Sequence, residues 1–480
     1  MDERNWRGKW WLPGGPDEPV AGTLYCAADG GLRLELIGGF DTEVRTPLPS
    51  GNGYTVSMES RDLPLIHGRS GGEAFTLIDC FAINTSGGMH PRNIVKQDLV
   101  ANRALRGVLL DSLDEPVFVR AYLQVERLLK WADRSTFDLQ RLMNEERTQV
   151  LERKASTHAV EPVSAEHGDM TVSLMVRGTE FYIKDRVVAN RRSMETVEWA
   201  TLRFEIPEPA SYSAYDEVAK DLQDLLTLCA YEACGAHSRT LVCELPSSSG
   251  DGMDSEEIEV LGRQIFSTPQ EADTQHHNFL FTLRDVEFTD LVPRWLSLKD
   301  EARLGFNILF GLRYIRSGYV GTRLLGVATA AESIHRALCE TSTPLPKAVF
   351  RELKKKLNQA VADEPEIVQN FVRNLQNNPA YKDRMLELAS IPDDEAVDRL
   401  LSDRLAWASQ LRDARHDLAH ANETADDGRE SGALWLLEVT YALLCLVAMA
   451  RLGMSAELQR RAVEHPTMIW AARQFRKTCA

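Results

Sequence analysis

The chain has 480 residues, 44% hydrophobic and 26% charged, with a formal net charge of −16. That length admits two or more domains with cores of their own, and the composition excludes a disordered or collagen-like chain. The acidity argues weakly against nucleic-acid binding, but it is uneven: residues 1–290 hold 29 basic and 47 acidic side chains, and residues 291–480 hold 26 and 24.

The first residues, MDERNWRGKWWLPGG, are charged and lack the apolar segment of a secretory signal. The longest apolar run, Val439 to Ala450, has 12 residues between Glu438 and Arg451, too few to span a bilayer. A cytoplasmic protein without a membrane segment is expected. Trp10 and Trp11 are expected in a β-domain core, one facing inward and one outward by strand alternation. GTLYCAADGGLRLEL reads as two alternating strands around a Gly-rich turn. EAFTLIDCFAI and EPVFVRAYLQV follow as strands. MTVSLMVRGTEFYIKD reads as a second hairpin turning near Arg177 and Gly178. EWATLRFEIP, SRTLVCELP, EIEVLGRQIF and NFLFTLRDV are further strand candidates. One helix interrupts them, with Val218, Leu222, Leu225, Leu226 and Cys229 on one stripe. PSSSGDGMDSEE reads as a polar loop. This strand content predicts a sandwich or barrel.

Eight cysteines in this length are too sparse for a disulfide framework, so free thiols are expected. Cys229, Cys234, His237 and Cys243 form a loose cluster. Its C-x4-C spacing lies on a helical pattern rather than in the tight pairs zinc prefers, so these residues are read as core. No metal and no cofactor are expected.

The character changes near Pro293. EARLGFNILFGLRYI, TRLLGVATAAESIHRALCE, PKAVFRELKKKLNQAV, DEAVDRLLSDRLAWASQLRDARHDLAH and SGALWLLEVTYALLCLVAMARLG all carry helical periodicity. They predict a bundle of four or five helices. The chain is therefore read as α+β: a β-rich, sandwich-like N-terminal domain over 1–290 and an all-α bundle over 291–480.

Chemistry concentrates in LRDARHDLAHAN, Leu411 to Asn422. On a helix, Leu401, Leu405, Ala408, Leu411 and Leu418 form an apolar stripe, and Arg415 falls on it. A fixed charge there needs an anion, and Glu332 and Glu438 are candidate partners. His416 and His420, four apart, share a neighbouring face. Imidazoles that titrate near neutral pH move protons, and RNA carries its own nucleophile in the 2′-OH. A guanidinium binds phosphate and stabilises the charge added in the transition state. Arg415 and His420 lie about 140° apart on an ideal helix. A two-fold axis along the seam would bring two copies of each group into one cleft. The alternative is a solvated or ion-paired helix face.

RHDLAH matches the R-x4-6-H signature of the HEPN superfamily, through Arg415, His416 and His420. The segments RLLGVATAAESIHRAL and ALWLLEVTYALLCLVAMARLG resemble the flanking helices of the Apea-like HEPN group. GKWWLPGGPDEPVAGTLYCAADGGLRLELIGGF, FTLIDCF and VFVRAYLQVERLLKWADRSTF resemble the domain that precedes this HEPN in ApeA-type antiphage proteins. The resemblance implies a dimeric, metal-independent RNA endonuclease that acts in abortive infection. It carries Arg415 and His420 over as catalytic and His416 as the polar residue of the motif, where relatives commonly have Asn. Glu332 is a candidate to orient Arg415. The implied partners are an RNA substrate, a tRNA or another structured RNA, a phage-derived trigger, and further copies of the chain as a homodimer or higher oligomer. The N-terminal domain is expected to sense or restrain. The alternative function is a non-enzymatic dimeric interaction or sensor protein with an inactive HEPN bundle as scaffold.

Arg412 and RELKKKL, with Arg351, Lys354, Lys355 and Lys356, are candidate contacts to RNA phosphates, although a solvated face is the commoner role of such a run. Arg313, Arg316 and Arg323 interleave with Tyr314 and Tyr319, and the tyrosines are expected to pack in the core. His276 and His277 have no ligand partners nearby in sequence and are assigned nothing.

Overall fold

The computed structural model describes residues 3–40, 43–47, 54–60, 63–87, 94–143, 150–178, 182–188, 191–195, 197–246, 253–263, 278–315, 318–339, 343–419 and 427–479. His276, His277, Arg316 and His420 lie outside them, as do residues 247–252 of PSSSGDGMDSEE; its last residues, Met253–Glu257, are strand and not the expected loop. The chain divides into two compact units, Met1–His276 with Thr282–Pro293, and His277–Phe281 with Arg294–Ala480.

The first unit is strand-rich. Its elements begin with β1 (Arg4–Trp11), β2 (Val20–Cys26), β3 (Leu32–Ile37), β4 (Glu43–Pro47), β5 (Tyr54–Ser60), β6 (Leu63–Ser70), β7 (Glu73–Gly87) and β8 (Ile94–Arg106). Neighbours pair in the order β8-β3-β2-β1-β6-β7, and β7 pairs back onto β8, which closes a barrel. Closure removes the open edges that a flat sheet would leave. The long β8 joins the barrel to the rest of one 12-stranded sheet. Leu32 to Ile37 of β3 pair with its first half, and its second half meets β18 (Met253–Gly262) at Arg103 to Arg106.

From there the sheet runs through β17 (Ala236–Pro246), β9 (Phe118–Val125), β16 (Glu198–Ala210), β13 (Met170–Gly178) and β12 (Val163–His167). Three two-stranded ribbons stand apart: β4 with β5, β10 (Phe137–Met143) with β11 (Val150–Thr157), and β14 (Tyr182–Val188) with β15 (Arg191–Glu195). Among the described residues, two helices lie wholly within the unit. The short α1 spans Leu128–Ala132, and α2 spans Tyr212–Ala230, where Ser211 accepts a hydrogen bond from the Ala214 amide.

Two strand expectations are corrected. β13 does not pair with β14, because β12 and β16 occupy both of its edges, so β14 turns to β15 instead. NFLFTLRDV is not a strand: Asp285 accepts from the Thr282 amide at 2.9 Å and closes a turn there. Trp10 and Trp11 alternate as expected, Trp10 inward and Trp11 outward, and both are buried. Trp10 fills the barrel core, resting where Gly68 lets β6 approach; a Cβ on Gly68 would sit 2.2 Å from the ring. Trp11 lies edge-on to His67, whose Nε2 bonds the Leu110 carbonyl at 2.7 Å, so the chain after β8 covers that outer position.

The second unit is helical. Its elements are α3 (Phe288–Tyr314, which belongs to this unit from Arg294 onward), α4 (Val320–Leu338), α5 (Lys347–Ala360), α6 (Glu366–Arg373), α7 (Tyr381–Leu388), α8 (Asp394–Leu401), α9 (Arg404–Ala419), α10 (Asp427–Arg451), α11 (Ala456–Ala462) and α12 (Pro466–Cys479). More than four or five helices are present, because several are only two turns long and leave little periodicity to read. α10 is the central helix, packed by α4, α8, α9, α11 and α12. Gly432–Arg451 is long and apolar enough to cross a membrane, with mean hydropathy 2.0, but 72% of that window is buried inside the bundle. α3 crosses α4 closely at Gly305, where a Cβ would lie 2.5 Å from Ile334.

The expected continuous helix before the RHDLAH stretch is two helices. Ser402 takes φ +63° between α8 and α9, and Asp403 restarts the helix by accepting from the Ala406 amide at 2.9 Å.

Candidate active site

α9 is anchored by Trp407, Ala408 and Leu411, all 0% exposed, and the Trp407 indole donates to Thr440 of α10 at 2.9 Å. The stripe predicted for this helix is only partly formed. Leu401 belongs to α8, across the break at Ser402, and Leu405 and Leu418, near the two ends of α9, are exposed. Arg415 follows Leu411 by four residues and so stands beside the buried seam. Its side chain is 42% exposed, which leaves part of the guanidinium open to a ligand.

Two side chains, one on each of two other helices, hold Arg415. Its Nη2 donates to Glu332 Oε2 of α4 at 2.8 Å. Its guanidinium lies 4.9 Å from the Tyr381 ring of α7. The Tyr381 hydroxyl donates to the Ala328 carbonyl of α4 at 3.0 Å, which fixes the ring. Burial pushes the Tyr381 phenol up, and the nearby Arg415 pulls the other way, so the phenol stays protonated. Small residues make the approach possible: Ala328, Ala330 and Ala331 on α4 are all 0% exposed.

Glu332 is shared. Besides Arg415 it accepts from Arg384 of α7 at 3.1 Å and from Arg336 at 2.7 Å. One carboxylate thus faces three guanidiniums, a locally cationic patch on an acidic protein. Arg384 is only 7% exposed on its side chain, and its Nε has no hydrogen-bond partner among the described residues. Tyr381 and Arg384 were not singled out in the sequence. Their spacing of three on YKDRMLEL is the one local sign that they share a face.

His416 is exposed on α9, next to Arg415. Arg412 is exposed too and is engaged with Asp413 at 2.6 Å. Glu438 is not a partner of Arg415: it meets Arg313 at 3.0 Å and Arg323 at 3.7 Å. Arg313 also stacks 3.9 Å from the Tyr441 ring. Tyr319 is 85% exposed, not core, because it caps the start of α4 from outside.

The basic run on α5 serves different ends. Lys354 donates to the Arg373 and Leu375 carbonyls at 2.7 and 2.9 Å, so it closes the C-terminal end of α6 instead of facing solvent as a phosphate contact. Lys355 and Lys356 are exposed, on a helix that buries no residue. In the first unit, Cys229, Cys234 and Cys243 are buried, and the Cys234 thiol donates to the Leu226 and Glu232 carbonyls. Burial raises all three thiols, which keeps them unreactive.

Two family patterns match the chain. The ApeA N-terminal domain 1 matches residues 5–295, and the Apea-like HEPN pattern matches residues 325–458. The second span contains Glu332, Tyr381, Arg384, Arg415, His416 and His420. No curated protein matches. A solved structure described as "pT26-6p" aligns over 99% of this chain and 92% of its own, at 9% identity and a TM-score of 0.14, too low to carry an argument.

Proposed function

We propose a function from this premise: the chain belongs to the ApeA N-terminal domain 1 family and carries an Apea-like HEPN domain behind that domain. The reading is an antiphage endoribonuclease of the abortive-infection kind, cytoplasmic, cutting RNA without a metal. The observation that carries it is the mount of Arg415: a half-exposed guanidinium fixed by Glu332 at 2.8 Å and by the Tyr381 ring, within the motif that ends in His420.

In the proposed reaction His420 takes the proton from the 2′-OH of the nucleotide before the cut. The 2′-oxygen attacks the adjacent phosphorus, and the bond from phosphorus to the 5′-oxygen breaks. A protonated imidazole returns a proton to that leaving oxygen. The products are a 2′,3′-cyclic phosphate and a 5′-hydroxyl. Arg415 binds the non-bridging oxygens, where negative charge grows in the transition state. His416 is the second candidate for either proton transfer. A dimer supplies the acid and the base from two copies of the motif. Arg412, Lys355 and Lys356 are proposed to guide the RNA strand, and a phage-derived trigger is proposed to release activity.

A second reading has its own observation. Arg415 already has a carboxylate partner in Glu332, so the motif could be a helix staple in an inactive scaffold. One experiment separates the two. The full chain is incubated with total RNA and chelator, with its trigger supplied by phage-infected lysate, and fragment ends are sequenced. Cyclic phosphate ends that vanish in Arg415→Ala and His420→Ala, with unchanged melting, support the nuclease. Cleavage that survives in both variants, or no cleavage under any trigger, favours the scaffold.

A further inference from the structure

A second cluster lies on the α4 and α7 pair, away from Arg415. His335 sits on the last turn of α4, and Cys339 follows at its C-cap, where its amide donates to the His335 carbonyl at 2.9 Å. The i and i+4 spacing puts both side chains on one face of the helix end. Glu387 comes from α7, with its Oε2 2.8 Å from His335 Nε2. The nitrogen, sulfur and oxygen ligand atoms of these three residues all lie within 4.8 Å of one another. Among the described residues no other set of three such side chains meets that condition.

Two features set the cluster apart from an ordinary His–Glu hydrogen bond. His335 is 1% exposed, and its Nδ1 is buried with no hydrogen-bond partner among the described residues. A polar atom stranded in this way costs about 1–3 kcal/mol unless something satisfies it. Glu387 is 42% exposed and Cys339 is only half-buried, so the cluster is open to solvent on one side. A cation therefore has a nearly buried imidazole to bind, whose Nε2 faces Glu387, and a route in.

We propose that His335, Cys339 and Glu387 bind one zinc ion, with water as the fourth ligand. The donor set fits: imidazole nitrogen, thiolate sulfur and carboxylate oxygen are the zinc ligands of proteins. The charges fit as well. A thiolate and a carboxylate carry two negative charges, which a dication cancels, and the imidazole binds in its neutral form. Tetrahedral zinc with bonds of about 2.0–2.3 Å spaces its ligands roughly 3.5 Å apart, so the side chains need move by only about an ångström. The ion would staple the C-terminal end of α4 to α7, the two helices that also supply Glu332, Tyr381 and Arg384. The site stands whether or not the chain cuts RNA.

The test uses the full chain, stripped with chelator and titrated with zinc against a chromophoric competitor. One zinc per chain is expected, with a rise in melting temperature. Cobalt should replace it and give a thiolate-to-metal charge-transfer band. His335→Gln, Cys339→Ser and Glu387→Gln should each bind at least about tenfold more weakly, and Cys339→Ser should lose the band. Cys339 and Glu387 are partly exposed, so these variants report even if His335→Gln unfolds. Binding unchanged in Cys339→Ser and Glu387→Gln would overturn the proposal. So would zinc lost only in a His416→Gln, His420→Gln double variant, or no zinc bound at micromolar concentration.

Discussion

Glu332 joins more charge than any other side chain around Arg415. Glu332→Gln keeps the shape and one acceptor oxygen but removes the anion that three arginines share. Arg384, nearly buried, then lacks a counter-charge. The expected loss is about 2 kcal/mol of unfolding free energy, read by urea denaturation. RNA cleavage should fall about tenfold in kcat with KM little changed, because the guanidinium is misplaced and not removed. Glu332→Asp should recover part of both. A variant with wild-type melting and wild-type turnover would show that Glu332 positions nothing. Arg415 was recognisable in the sequence as a charge on an apolar stripe that needed an anion. The stripe left Glu332 and Glu438 open as its anion, Glu332 was the candidate to orient Arg415, and helix packing gives Glu332 to Arg415 and Glu438 to Arg313.

Capping decides where the helices begin and end. Asp393 caps α8 by accepting from the Ala396 amide at 3.0 Å, and it is gripped by Arg460 at 2.8 and 2.9 Å. The Arg460 hydrogen bonds, together with the backbone amides, hold the Asp393 carboxyl down to about 2, from an ordinary 3.8. The folded value is below the unfolded one, so this contribution is complete above about pH 4 and is lost as pH falls through about 2. Arg460→Ala should therefore lower the thermal midpoint at neutral pH. Its midpoint should converge with that of the parent protein between about pH 4 and 2. A gap that stays constant over that range would argue that the ion pair contributes nothing. Helical periodicity is blind to such punctuation. The run from Asp394 to Ala419 keeps apolar residues near helical spacing on both sides of Ser402, so it reads as one helix although a left-handed residue divides it.

Across the whole molecule, the acidic excess lies in residues 1–290, and the proposed site lies in a half that is close to neutral. An acidic domain that mimics phosphate can restrain a cationic site. If it does so here, a fragment of residues 291–480 should be more toxic in cells than the full chain at equal abundance, with its fold checked by circular dichroism. Equal or lower toxicity from a folded fragment would count against restraint.

Local patterns were enough to separate strand-rich from helical chain, because alternation by two and by three to four is written in neighbouring residues. They also placed the β2–β3 hairpin and the motif that contains Arg415. The tertiary structure alone decided that β7 returns to β8 and closes a barrel, that β14 turns away from β13, and that both tryptophans of β1 are buried. It alone brought Tyr381 and Arg384 to Arg415, and Glu387 to His335 and Cys339. The contacts among α4, α7 and α9 join residues far apart in the chain, and closing the barrel needs β8 to pair with the distant β3. Such contacts follow from topology and packing, which no short window of sequence contains.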